Sequence, residues 1–201
     1  VRSSPGTQVW LAVVALTSLV LALVPTGVEE YFLHRNSSNL HQLAHHPVRA
    51  LLGSAFWIED PADIVLYAVL FELLHAPVER WLGTAKWLFT VAAAHITATL
   101  VSQQAVLAAI RLHDVPRGMA HVVDIGVSYG LAASAGILAY RLARPWRRFH
   151  LVGVIALFAV PLVTDRTYTD LGHAIALAVG LACYPLTRGK PVAHEQRPGA
   201  H

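Results

Sequence analysis

Asp124 and Ser128 stand four residues apart at the head of one apolar run, with His121 three residues before Asp124, and Asp170 and His173 stand three apart at the head of another. Spacings of three and four place side chains on one face of a helix. Serine is a weak nucleophile until a base takes its proton, and histidine is the side chain best suited to that task near neutral pH. A serine–histidine pair is therefore the chemistry these residues offer, if the two runs lie side by side. Each group also has a plain structural reading. Serine packs and back-bonds inside helices, and a histidine can be a hydrogen-bonded core residue. Asp124 and Asp170 read first as solvated charges at helix N-termini, with an Asp170 that orients His173 as the sharper alternative.

The elements that must position these groups belong to a membrane. Of the 201 residues, 55% are hydrophobic and only 13% charged, about half the charge of an ordinary soluble domain. Six apolar segments follow one another: Val9–Val24, Ile64–Ala76, Trp87–Ile110, Val122–Tyr140, Phe149–Val163 and Leu171–Leu186. Each lies near or below the roughly 20 residues that cross hydrocarbon, and the last two are short enough to require tilt or local thinning. The expected fold is an all-α membrane protein of six transmembrane helices over residues 1–188, with a tail from 189 to 201 read as disordered. The first segment is read as an uncleaved anchor, since no small-residue cleavage pattern follows it. The chain opens on Val1, which leaves room for residues upstream. Cys183 stands alone, so no disulfide framework exists.

Charge orients the bundle. If six helices alternate, Arg2, Arg80, Lys86, Arg141, Arg144, Arg147, Arg148, Arg188, Lys190 and Arg197 share one side, ten of the fifteen basic residues. By the positive-inside rule both termini are cytoplasmic. Basic residues placed between hydrophobic segments suit anionic lipid, and no nucleic-acid partner is implied. The longest connection, 26–61, falls on the other side and mixes Tyr31, Phe32, Leu51, Leu52 and Trp57 with polar residues, the composition of short interfacial helices.

Depth follows from a rise of about 1.5 Å per residue. Ser128, thirteen residues before Arg141, lies roughly 20 Å above the basic side, and His173, fifteen before Arg188, roughly 22 Å. Tyr67 reaches the same level, thirteen residues before Arg80. Glu72 and His75 lie deeper, with His95 at comparable depth in the third segment, so a Glu72–His95 hydrogen bond locking two helices is the preferred reading over a metal site or proton relay. His41, His45 and His46 have i,i+4 spacing open to a metal. Without a carboxylate or cysteine beside them they read as interfacial histidines.

In these residues the chain resembles the rhomboid intramembrane serine proteases. Gly126-Val-Ser128-Tyr-Gly130 and Gly172-His173 are similar to the openings of that family's fourth and sixth helices. Val78-Glu79-Arg-Trp-Leu82-Gly83 resembles its Glu-x-x-x-Gly signature, and His173 through Gly180 its sixth helix. The resemblance implies a six-helix rhomboid-like bundle with a dyad of Ser128 as nucleophile and His173 as base, facing an outward-opening aqueous cavity. Its substrates would be transmembrane proteins cut near their outer ends, and its location the plasma membrane of a bacterium. It implies no metal, no cofactor and no third acidic member.

The departures matter equally. Where active members carry oxyanion-stabilising His and Asn, this chain has Asp63 and Tyr67. An aspartate would repel an oxyanion, whereas a tyrosine hydroxyl could donate one hydrogen bond, and a lost donor typically costs about a hundred- to a thousandfold in rate. Gly126 is retained as a supporting position. The glycine expected after the serine is Tyr129, the aromatic residue expected four after it is Ala132, the residue before the histidine is Gly172 instead of Ala, and the glycine three after it is Ala176. Two functions follow: an intramembrane serine protease, or a non-proteolytic relative (a pseudoprotease) that binds membrane clients through the same cavity. Membrane lipids and transmembrane substrates or clients are the implied partners.

Overall fold

The structure, a computed structural model, describes residues 3–192. Arg2, Arg197 and the tail from 193 onward lie outside the described residues. Ten α-helices run in chain order: α1 Pro5–Leu23, α2 Thr26–Asn36, α3 Leu40–His45, α4 Pro47–Ser54, α5 Ile64–Leu70, α6 Ala76–Leu82, α7 Thr84–Arg111, α8 Val127–Leu138, α9 Trp146–Thr164 and α10 Tyr168–Ala182. No strand occurs among the described residues. The long connection folds as α2, α3 and α4.

Four segments are long and apolar enough to cross a bilayer: α1, the run Pro61–Leu82 that contains α5 and α6, α7, and α9. The other two apolar segments became the shorter α8 and α10. All of α8 except Ser128 is buried, and it packs chiefly on α10 and α7. A helix enclosed by protein need not match the bilayer, because its neighbours satisfy the backbone beyond its ends.

Small residues make that enclosure possible. A Cβ on Gly180 would lie 2.2 Å from the Ala133 carbonyl oxygen, and one on Gly136 2.8 Å from the Leu177 carbonyl oxygen. Backbones therefore meet directly across α8 and α10. By contrast α9 buries no residue and turns Phe149, Val152, Leu157 and Val163 outward, as a lipid-facing helix does.

The Glu79–Gly83 stretch closes the lower end of the bundle by two means. The Glu79 carboxylate accepts hydrogen bonds from the N–H groups of Gly6 and Thr7, at 2.9 and 2.7 Å, and from the hydroxyls of Thr7 and Thr84, at 2.6 and 2.8 Å. It thereby caps α1, whose own Ser4 makes no side-chain cap, with a negative charge at the positive end of the helix. Gly83 then reverses the chain at φ 92°, a conformation that suits glycine. Between α5 and α6 a π-turn, Phe71–His75, widens the helix just ahead of Pro77, which has no N–H to give.

Two boundaries differ from the sequence expectation. The fourth segment becomes helical at Val127, five residues later than Val122, because the backbone at 124 and 126 is bonded elsewhere: Ser38 N–H donates to the Asp124 carbonyl at 2.9 Å and Gly126 N–H to the Ser54 carbonyl at 3.0 Å. The expected disordered tail is attached at its start, where Trp81 Nε1 donates to the Pro191 carbonyl at 2.9 Å.

Candidate active site

α10 begins with a capping box. The Thr167 hydroxyl accepts from the Asp170 N–H at 3.1 Å and donates to the Asp170 carboxylate at 2.6 Å, which also accepts from the Thr167 N–H at 3.2 Å. Asp170 is thus a helix cap and makes no hydrogen bond to His173. The cap fixes where α10 starts, and His173 lies in its second turn. Ser128 is the second residue of α8, where backbone N–H groups have no intrahelical acceptor. The structure brings these two helix starts together: Ser128 Oγ lies 2.8 Å from His173 Nε2, with both residues half-buried. With the imidazole proton on Nδ1, Nε2 accepts the serine proton, the arrangement a general base requires.

Aromatic rings confine the imidazole. Tyr129 presents an edge-on contact at 5.2 Å between ring centroids, and Phe158 of α9 lies at 5.5 Å. Ala132, at the position where the resemblance leads one to expect an aromatic residue, is buried against Tyr129 instead. The substitution at 172 has a physical reason as well: a Cβ there would sit 2.5 Å from the Tyr129 hydroxyl oxygen. A tyrosine at 129 and a glycine at 172 go together.

Asp124 corrects the sequence reading. It is buried, not a solvated cap. Its carboxylate accepts from the Tyr129 hydroxyl at 2.8 Å, Gln103 Nε2 at 3.0 Å and the Ser38 hydroxyl at 3.3 Å, and its N–H donates to Ser37 Oγ at 2.9 Å. The connection between α2 and α3 is thereby tied to the start of α8. Gln103, Ser37, Ser38 and Phe158 were not singled out in the sequence. A signal existed for Gln103: Thr99, Ser102 and Gln103 form a polar face at spacings of three and four within α7, and all three are buried.

The expected oxyanion positions make no hydrogen bond to the dyad. Asp63 is exposed in a short 3₁₀ turn. Tyr67 packs on the apolar cluster that includes Val127, and it makes no hydrogen bond to Ser128 or His173. The N–H of Gly126 is committed to Ser54, and its missing side chain leaves room for the His95 ring, 1.9 Å from where a Cβ would stand. None of these three residues hydrogen-bonds to the dyad, and at the start of α8 the Tyr129 N–H donates to the Gly126 carbonyl at 3.1 Å.

The Glu72–His95 lock does not form. Glu72 is exposed and accepts from Gln8 Nε2 of α1. His95 Nε2 instead lies 2.8 Å from the Leu51 carbonyl and 3.3 Å from the Ser54 hydroxyl, joining α7 to α4. His75 is paired separately, with Nδ1 2.8 Å from the Ser134 hydroxyl and 3.1 Å from Trp87 Nε1. His41 contacts His45 and His121, each at 4.5 Å between ring centroids. Among the described residues no group of three or more His, Cys, Asp or Glu side chains is arranged to hold a metal ion. An apolar cleft of about 650 Å³ opens between α1, α4 and α7, and neither Ser128 nor His173 lines it.

Compared with known proteins, residues 1–193 match a family model described as rhomboid-like protein. No curated protein and no solved structure matches the chain.

Proposed function

Given that this chain belongs to the rhomboid-like protein family and is an integral membrane protein, we propose that it is an intramembrane serine protease whose nucleophile is Ser128 and whose base is His173. The observation that carries this reading is the 2.8 Å approach of Ser128 Oγ to His173 Nε2. In the mechanism, His173 takes the hydroxyl proton as Ser128 Oγ attacks the scissile carbonyl of a transmembrane protein. The same imidazole then gives that proton to the leaving amine, and water attacks the acyl-enzyme by the reverse route. The oxyanion is met by the amide of Ser128 and the partial positive charge at the start of α8, in place of side-chain donors.

Orientation follows from charge. Both dyad members lie at helix starts, whereas Arg141, Arg144, Arg147 and Arg148 follow the end of α8 and Arg188 follows the end of α10. With the basic end cytoplasmic, cleavage occurs toward the outer face of the membrane, on this reading the plasma membrane of a bacterium. Purified protein in lipid nanodiscs is expected to cut a reference transmembrane substrate, and Ser128→Ala to abolish cutting. Folded wild-type protein inert toward a panel of such substrates would contradict the proposal.

One observation favours a second reading, a non-proteolytic client-binding protein: Asp63 is exposed and Tyr67 makes no hydrogen bond to the dyad, so neither of these two side chains serves as an oxyanion donor on this reading. On that reading Ser128→Ala leaves client crosslinking and cellular phenotype unchanged. Loss of the phenotype in Ser128→Ala alone would exclude it.

A further inference from the structure

Among the described residues no carboxylate hydrogen-bonds to His173, and Asp170 is occupied by the cap of α10. The ring must be held by something else, and Tyr129 is the side chain placed to do so. It is fully buried and presents its ring at 71° to the imidazole. Its hydroxyl end lies against α10 at Gly172, the residue before His173, where a Cβ would fall within 2.5–2.7 Å of three Tyr129 atoms. Tyr129 thus touches both the ring of His173 and the backbone that carries it.

Tyr129 itself has little freedom. Its hydroxyl donates to Asp124 Oδ1, while Oδ2 is held by Gln103 of α7 and Ser38 of the α2–α3 connection. The Asp124 main chain is bonded on both sides, to Ser37 Oγ and from Ser38 N–H. Three separate parts of the chain therefore converge on one carboxylate that fixes one phenol.

We propose that Tyr129, pinned by Asp124, is the positioning residue that holds the His173 imidazole against Ser128. Its value for catalysis rests on the protease reading, but the positioning itself does not. A preorganised base loses little motion as the proton moves, and a misplacement of about 1 Å costs about a hundredfold in rate. Asp124 acts here as an acceptor of fixed geometry, so its charge is secondary. Gln103 Oε1 is buried without a partner, so in Asp124→Asn the Gln103 amide can flip and accept from the new Asn amide while Tyr129 keeps its acceptor.

The test combines two readouts on the full chain in nanodiscs. In histidine-selective ¹⁵N NMR, Tyr129→Phe and Asp124→Leu are expected to shift the His173 Nε2 resonance away from its wild-type position, and Asp124→Asn to leave it near that position. Labelling by a fluorophosphonate should slow by about tenfold or more in the first two and change little in the third. Ser134→Ala, which removes a buried hydroxyl from the same helix, controls for lost stability. It should lower the melting temperature and leave both readouts as in wild type. A His173 resonance unmoved in Tyr129→Phe and Asp124→Leu overturns the proposal, as does equal damage from Asp124→Asn and Asp124→Leu. If wild-type protein never labels, the protease reading fails, and the NMR comparison alone decides the positioning role.

Discussion

Gly180→Ala adds one methyl group where α10 meets α8. The new Cβ would lie 2.2 Å from the Ala133 carbonyl oxygen and 2.8 Å from two further backbone atoms of Ala133. A side chain in the way could rotate aside, but a carbonyl within a helix cannot. Ordinary contact begins near 3.4 Å, so the backbones must part by about 1.2 Å. Overpacking of this kind costs about 1–3 kcal/mol, set against a helix-propensity gain of at most about 1 kcal/mol. Gly180 lies seven residues, or two turns, below His173 on the same helix. A rigid shift of that size would carry the Ser128–His173 pair from 2.8 Å to about 4 Å, beyond hydrogen bonding. The expected result is a net loss of about 1–2 kcal/mol in unfolding from micelles, with fluorophosphonate labelling reduced by about a hundredfold. Gly153→Ala is the matched control. Its Cβ would meet nothing within 4 Å, so it should be neutral or slightly stabilising. A Gly180→Ala protein as stable and as reactive as the Gly153→Ala protein would refute the direct backbone contact between α8 and α10.

Glu79→Gln places an amide among four donors that all need an acceptor, and it should cost about 2 kcal/mol, read as a lower melting temperature with α1 frayed first. Gly126→Ala drives a methyl group into the His95 ring and should cost about 1–3 kcal/mol. Most of that loss should be relieved when His95→Ala is added, so a double-mutant cycle that proves additive would count against the contact. His41 lies outside the spans, and partial desolvation, then repulsion from His121, His45 and His46, hold its pKa below the ordinary histidine value. The unfolded chain therefore binds more protons in the window just below about pH 6.5, so this contribution is complete above that pH and is lost as acid approaches the folded value. Amide exchange over residues 40–45, corrected for its intrinsic pH dependence, should quicken from pH 7 to pH 5, and His121→Gln should blunt the change.

What was legible in the sequence depended on whether one coordinate sufficed. Helices long enough to span, such as α1, α7 and α9, are marked by apolar length alone, and depth along a helix placed Ser128 and His173 at one level. Depth carries no azimuth. Glu72 and His95 share a level, yet Glu72 faces Gln8 of α1 while His95 faces α4, and Tyr67, level with the dyad, faces an apolar cluster. The start of α8 was hidden for a different reason. Val122 and Val123 continue the apolar pattern, and only long-range bonds from Asp124 and Gly126 to Ser38 and Ser54 hold that stretch out of the helix. Tyr129 and Gly172 read singly as two departures from the family pattern. Together they are one steric arrangement, which only the packing of α8 on α10 reveals.

The central claim is that the Ser128 hydroxyl is activated by His173. Intact-mass analysis of the detergent-solubilised, folded protein after exposure to a fluorophosphonate tests it most directly. A single phosphonyl adduct on Ser128 is expected, and it should disappear in His173→Ala although that variant remains folded. A folded wild-type protein that gains no adduct, or a His173→Ala protein that labels at the wild-type rate, would contradict it.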